Sequence, residues 1–143
     1  MKIIVKPPIP DPPYSLHDAY VTELRAEGET LRLVTQYGYV CTTAPFTQVE
    51  GNVEITGIDW ESSYVYVIDY PQVPCGNCGS FTGRKMPLEA FLRECSREIL
   101  EILDETYGYR MAKLSGFLDL PERLLEVSLE ICYAGEFRYL LKE

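Results

Sequence analysis

A chain of 143 residues that is 46% apolar, with 11 Tyr, 5 Phe and one Trp, can close one hydrophobic core and is too apolar for a disordered segment. Its 22 acidic residues against 13 basic ones give a formal charge of −9. That charge repels phosphate backbones and anionic lipid, so it argues against nucleic acid and membrane and leaves a basic protein partner or plain solubility.

Lys2 to Lys6 reads as a short edge strand. Its three consecutive apolar residues are too few for a signal-peptide core, and no later run approaches a membrane span. The five cysteines are an odd number, and only Cys75 and Cys78 are close together. This is unlike a secreted disulfide framework, so the expectation is a cytoplasmic protein. The five prolines of residues 7–13 predict a stiff, extended connector, because proline fixes φ and donates no backbone hydrogen bond.

Residues 16–26 and 29–36 read as two strands around a turn in which Gly28 supplies a positive φ. Tyr37-Gly38 turns the chain into a third strand from Tyr39 to Thr43, and Pro45 ends it. Residues 47–60 and 63–70 predict a hairpin with Glu61, Ser62 and Ser63 near its tip. Val53 and Ile55 share one parity while Ile58 and Trp60 share the other, which predicts a β-bulge at Gly57. Tyr64, Tyr66 and Ile68 alternate with Val65 and Val67, a pattern expected of a strand covered on both faces.

Residues 71–86, rich in Gly, Pro and Cys, read as a loop. From Pro87 to Tyr107 the apolar residues Leu88, Phe91, Leu92, Cys95, Ile99, Ile102 and Leu103 recur at intervals of three and four. This spacing predicts one long amphipathic helix with Pro87 at its start and Gly108 just past its end. Leu125, Val127, Leu129, Ile131 and Tyr133 alternate strictly with Glu126, Ser128, Glu130 and Cys132, a strand with one buried face. The turn Ala134-Gly135-Glu136 leads into a final strand from Phe137 to Leu141.

These elements predict a single α+β domain over residues 1–143. Its frame is a mostly antiparallel, curled sheet of six to eight strands, barrel-like or split in two layers, with the helix of residues 87–107 packed on it.

Few residues carry a chemical signal. Cys75-Gly76-Asn77-Cys78-Gly79 has the spacing of a zinc knuckle or a dithiol pair. A structural zinc takes four ligands, however, and the remaining candidates (Cys41, Cys95, Cys132 and His17) fall on predicted core elements or alone. His17 beside Asp18 pairs an imidazole with a carboxylate, the start of a general base or metal site, but Ser15 has no nucleophile elbow around it. Asp59, Glu61 and Asp69 offer a carboxylate pair only if folding brings them together. Tyr37, Tyr39, Tyr64, Tyr66, Tyr107, Tyr109, Tyr133 and Tyr139 serve either a recognition surface or core edges.

The run Leu16-His17-Asp18-Ala19-Tyr20, followed by Leu24 and the Gly28 turn into Leu31-Arg32-Leu33, resembles the opening of small uncharacterised bacterial β-rich proteins. Some of those lie near toxin genes as presumed immunity proteins. The resemblance covers only this N-terminal part, and it implies a non-enzymatic binding role with no catalytic residues to carry over. Three functions follow. One is an interaction protein, immunity-like, that docks a basic partner through an acidic, Tyr-containing surface. Another is a zinc-stabilised or dithiol module on Cys75 and Cys78. The third is a small-molecule binder or enzyme with a pocket between sheet and helix.

Overall fold

The computed structural model describes the backbone of residues 1–75 and 78–143 and the side chains of residues 1–71 and 79–143. Among the described residues, strands β1 (Lys2–Val5), β2 (Tyr14–Ser15), β3 (Tyr20–Glu27), β4 (Thr30–Thr35), β5 (Tyr39–Cys41), β6 (Gln48–Val49) and β7 (Gly51–Ile55) precede a 3₁₀ turn at Trp60–Ser62. Then come β8 (Tyr64–Cys75), β9 (Cys78–Pro87), helix α1 (Leu88–Cys95), β10 (Ile99–Gly108), β11 (Met111–Leu120), β12 (Arg123–Cys132) and β13 (Phe137–Leu141).

Ten of these strands pair in the order β1-β13-β7-β4-β3-β10-β11-β12-β8-β9, and β2-β5-β6 form a small second sheet. Every pairing is antiparallel. The mostly antiparallel sheet expected from the sequence is present, but it has ten strands rather than six to eight. It is also open, with β1 and β9 as its edges, and does not curl into a barrel. The connector of residues 7–13 leads from edge strand β1 to the small sheet.

Alternation identifies β12 and its neighbours because one face of each strand is shut away from water. Leu125, Val127, Leu129 and Ile131 are buried, opposite Leu118, Leu114 and Ala112 of β11. Burial of such a side chain contributes about 1.5–3 kcal/mol. In β8 the same rule holds for one face only: Val65 and Val67 are buried, whereas Tyr64, Tyr66 and Ile68 are half-exposed. The outer face of β8 is therefore not covered.

The long helix is the principal correction. Helical structure ends at Cys95, about 12 Å from its start at 1.5 Å per residue, after Leu88, Phe91 and Leu92 have been buried. A turn follows, in which Glu98 donates its backbone N–H to the Cys95 carbonyl at 3.2 Å, and β10 begins at Ile99. Leu100 and Ile102 then point inward, opposite Leu118 and Gly116. The register shifts between Ile102 and Asp104, so Leu103 is the extra residue of a bulge and the inward parity passes to Glu105 and Tyr107. A strand with one inserted residue shows apolar spacings of three and four, and over a short window that imitates a helix.

Two further expectations change for related reasons. Residues 71–75 and 78–86 are not a loop but lie in the paired strands β8 and β9, while residues 76 and 77 are outside the described residues. β12 pairs with β8 only as far as Asp69, so Pro71 and Pro74 fall where one side of the strand is free and a missing N–H is tolerated. The hairpin of residues 47–70 is absent as well, since β7 pairs with β4 and β13 while β8 pairs with β9 and β12. Gly57 is no bulge, because the β7 ladder ends at Ile55. It holds a φ of +66° where the chain leaves the sheet, and a Cβ there would meet the Gly135 backbone nitrogen at 2.6 Å.

Candidate functional site

The sequence Ile58-Asp59-Trp60-Glu61 is fixed to the turn between β3 and β4. The Ile58 N–H donates to the Glu29 carbonyl at 2.8 Å, and the Trp60 indole N–H donates to the Gly28 carbonyl at 3.1 Å. A second anchor is the Asp59 N–H, which donates to the Cys132 carbonyl at 2.9 Å. Buried Ser63 completes the turn by donating its hydroxyl to the Asp59 carbonyl and accepting the Cys132 N–H. Glu27 and Glu29 flank Gly28 in sequence, and Asp59 and Glu61 flank Trp60, so the two joined turns carry four exposed carboxylates beside one half-buried indole. Among the described residues none of the four has a cationic group within 4.0 Å.

Trp60 also borders a cleft of about 530 Å³ between β3 and α1, lined by Arg25, Arg93 and Arg97 with Glu23 and Glu89. Arg25 donates two hydrogen bonds to Glu23, at 2.9 and 3.3 Å, and these hold the Glu23 carboxyl below its ordinary range. This is the pocket between sheet and helix that the sequence raised as one alternative. It lacks any Ser, Cys or His paired with a base among its lining residues.

A second cleft, of about 640 Å³, lies where residues 5–10 pass over Tyr107, Tyr133 and Phe137. The Tyr107 and Tyr133 rings contact Phe137 at centroid distances of 5.4 and 6.5 Å, and Phe137 contacts Tyr139, which packs against Tyr14 and Tyr39. Burial pushes the Tyr107, Tyr133 and Tyr139 hydroxyls up from their usual range. Four of the eight tyrosines singled out in the sequence, Tyr39, Tyr107, Tyr133 and Tyr139, thus build an aromatic cluster at the core, whereas Tyr37 and Tyr109 are exposed. Tyr64 and Tyr66 stand apart, beneath the Lys85 ammonium at 4.2 and 5.6 Å from their ring centroids.

His17 and Asp18 meet at 3.1 Å but are 60% and 67% exposed, in a turn where Asp18 has a φ of +67°. The Ser15 hydroxyl accepts the backbone N–H of His17 at 3.2 Å, and among the described residues no hydrogen bond joins it to the imidazole ring. Asp59 and Glu61 share the Trp60 corner, whereas Asp69 is held by Arg123 at 2.9 Å elsewhere on the sheet. The thiols of half-buried Cys95 and Cys132 are pushed up by burial, which leaves them poor nucleophiles. The zinc or dithiol reading of Cys75 and Cys78 concerns side chains outside the described residues. Among the described residues, no group of three or more His, Cys, Asp or Glu side chains is arranged to hold a metal ion.

Sequence reasoning missed Trp60 as a centre and Glu105 as an inward carboxylate. The first depends on contact between two turns far apart in sequence. The second was hidden by the bulge. Among the described residues no helix is long and apolar enough to cross a membrane. No family model, curated protein or solved structure matches the chain.

Proposed function

We propose that the protein is a non-catalytic, cytoplasmic interaction module that docks a basic partner through the acidic corner around Trp60. The observation that carries this reading is that Glu27, Glu29, Asp59 and Glu61 are exposed on the two turns that the Trp60 indole joins, with no ion pair to any of them among the described residues. Tryptophan is a favoured anchor in interfaces, and exposed carboxylates around it steer a cationic surface into register. The immunity-like role implied by the opening strand fits such a surface, because an inhibitor of a basic toxin has to match its charge. The acidic surface expected from the sequence is kept in this reading, with tryptophan in place of tyrosine at its centre.

Affinity capture from the native host, compared between the wild-type chain and the Glu27→Gln, Glu29→Gln, Asp59→Asn, Glu61→Gln variant, tests the reading. A basic protein retained by the wild type, released by rising salt and lost by the variant supports it. Equal retention by both chains overturns it.

A further inference from the structure

The cleft under residues 5–10 is built from chemistry that the acidic corner does not use. Its roof is pinned where the Lys6 N–H donates to the Phe137 carbonyl at 2.7 Å, and the prolines that follow are stiff. Aromatic rings make its floor. The Lys6 ammonium lies 4.3 Å from the Tyr107 ring centroid and donates to the Pro7 carbonyl at 3.3 Å, while the Arg110 guanidinium lies 5.3 Å from the Tyr109 centroid.

The polar groups of this cleft are unbalanced. Glu136 is engaged by Arg138 at 2.7 Å, and the Glu105 carboxylate behind the floor accepts from Leu16 and Tyr107. Neither Lys6 nor Arg110 has a carboxylate within 4.0 Å among the described residues, and the half-buried Tyr133 hydroxyl has no hydrogen-bond partner among them. The cleft therefore offers two cations and a free tyrosine hydroxyl over aromatic walls, and both of its carboxylates are already engaged, Glu105 also through its charge on the Lys6 ammonium. At about 640 Å³ its size is in the ordinary range for a small ligand, roughly 300–1,000 Å³.

We infer that this cleft binds a small planar aromatic molecule bearing one anionic group, its ring against the half-buried Tyr107 and Tyr133 and its anion met by Lys6 and Arg110. Aromatic faces attract a flat ring by offset or edge contacts, and a hydrogen bond from an ammonium or guanidinium to an anion is stronger than a neutral one. The cations come from two separate segments, the strap and the β10–β11 turn, so the site exists only in the folded chain.

Calorimetric titration with 2-naphthoate, using 2-naphthalenemethanol as the uncharged analogue, tests the assignment. Saturable one-to-one binding is expected for the carboxylate, with the alcohol about tenfold weaker, as befits one lost charge-assisted bond. Lys6→Gln and Arg110→Gln should each weaken naphthoate binding by about tenfold, and Arg110→Gln keeps the test open if the strap variant is unstable. Lys142→Gln removes an equal charge at a distant exposed site and should leave binding unchanged. Absence of saturable binding, equal affinity for acid and alcohol, or indifference to both substitutions overturns the assignment.

Discussion

The Glu105 carboxylate accepts the backbone N–H of Leu16 at 2.9 Å, across 89 positions of sequence. The same oxygen accepts the Tyr107 hydroxyl at 2.9 Å. One inward acid, placed by the bulge in β10, thus ties the start of the β3 region to the aromatic cluster. Replacement by leucine strands both donors, and an unpaired buried donor costs about 1–3 kcal/mol. Glu105→Leu should therefore lower the urea midpoint clearly, while Glu105→Gln, which keeps an acceptor oxygen, should lower it less. An unchanged midpoint in Glu105→Leu would show that the bond contributes nothing.

Strand alternation before the bulge makes neighbouring residues of β10 behave in opposite ways. Ile99 is 42% exposed, whereas Leu100, next to it, is 1% exposed. Ile99→Asp should cost within about 1 kcal/mol, the scale of strand propensity at an exposed site. Leu100→Asp buries an unpaired charge and should cost about 4 kcal/mol or more, a large part of a typical domain's stability. Thermal melting of the two variants checks this. Had residues 87–107 formed one helix, Ile99 would have been on its buried stripe and the order would be reversed.

That pair of residues shows what a single sequence displays and what it hides. Alternation marks β12 and β13 because their inward residues are all apolar and uninterrupted, and Gly28 marks the β3–β4 turn through a φ of +61°. In β10 an extra residue and an inward glutamate break the pattern, so the apolar count favours the wrong period. Strand order is hidden for another reason. Any two alternating strands present compatible edges, and only the 3₁₀ turn at Trp60 and the anchoring of Ser63 carry β8 away from β7. The acidic corner and the strap cleft each need two chain segments distant in sequence, so neither was legible before the fold.

Close backbone approach between β10 and β11 makes Gly116 irreplaceable. A Cβ there would lie 1.8 Å from the Glu101 carbonyl oxygen, which is backbone and cannot swing aside. Gly116→Ala should destabilise the chain by about 3 kcal/mol, at the upper end of overpacking costs. Hydrogen exchange in β10 and β11 should rise more than in β7 and β13. Wild-type stability in Gly116→Ala would mean that the two strands do not approach so closely.

The aromatic cluster sets the alkaline limit of the fold. Tyr39 and Tyr139 are buried, and burial raises both hydroxyls above their ordinary value of 10.0; the Glu105 charge adds to the shift at Tyr139. In each case the folded chain holds its proton more tightly than the unfolded chain. The stabilisation is then complete below the unfolded value and declines as pH rises above about 10, by roughly 1.4 kcal/mol per pH unit for each such residue. Denaturant titrations should show a midpoint that falls steadily above that pH, with tyrosinate absorbance from the cluster appearing together with unfolding rather than before it. Tyr39→Phe should make the decline shallower, because the phenyl ring keeps the packing and removes one titrating group. If the variant and the wild type lose stability along the same slope, Tyr39 is not held protonated by the fold.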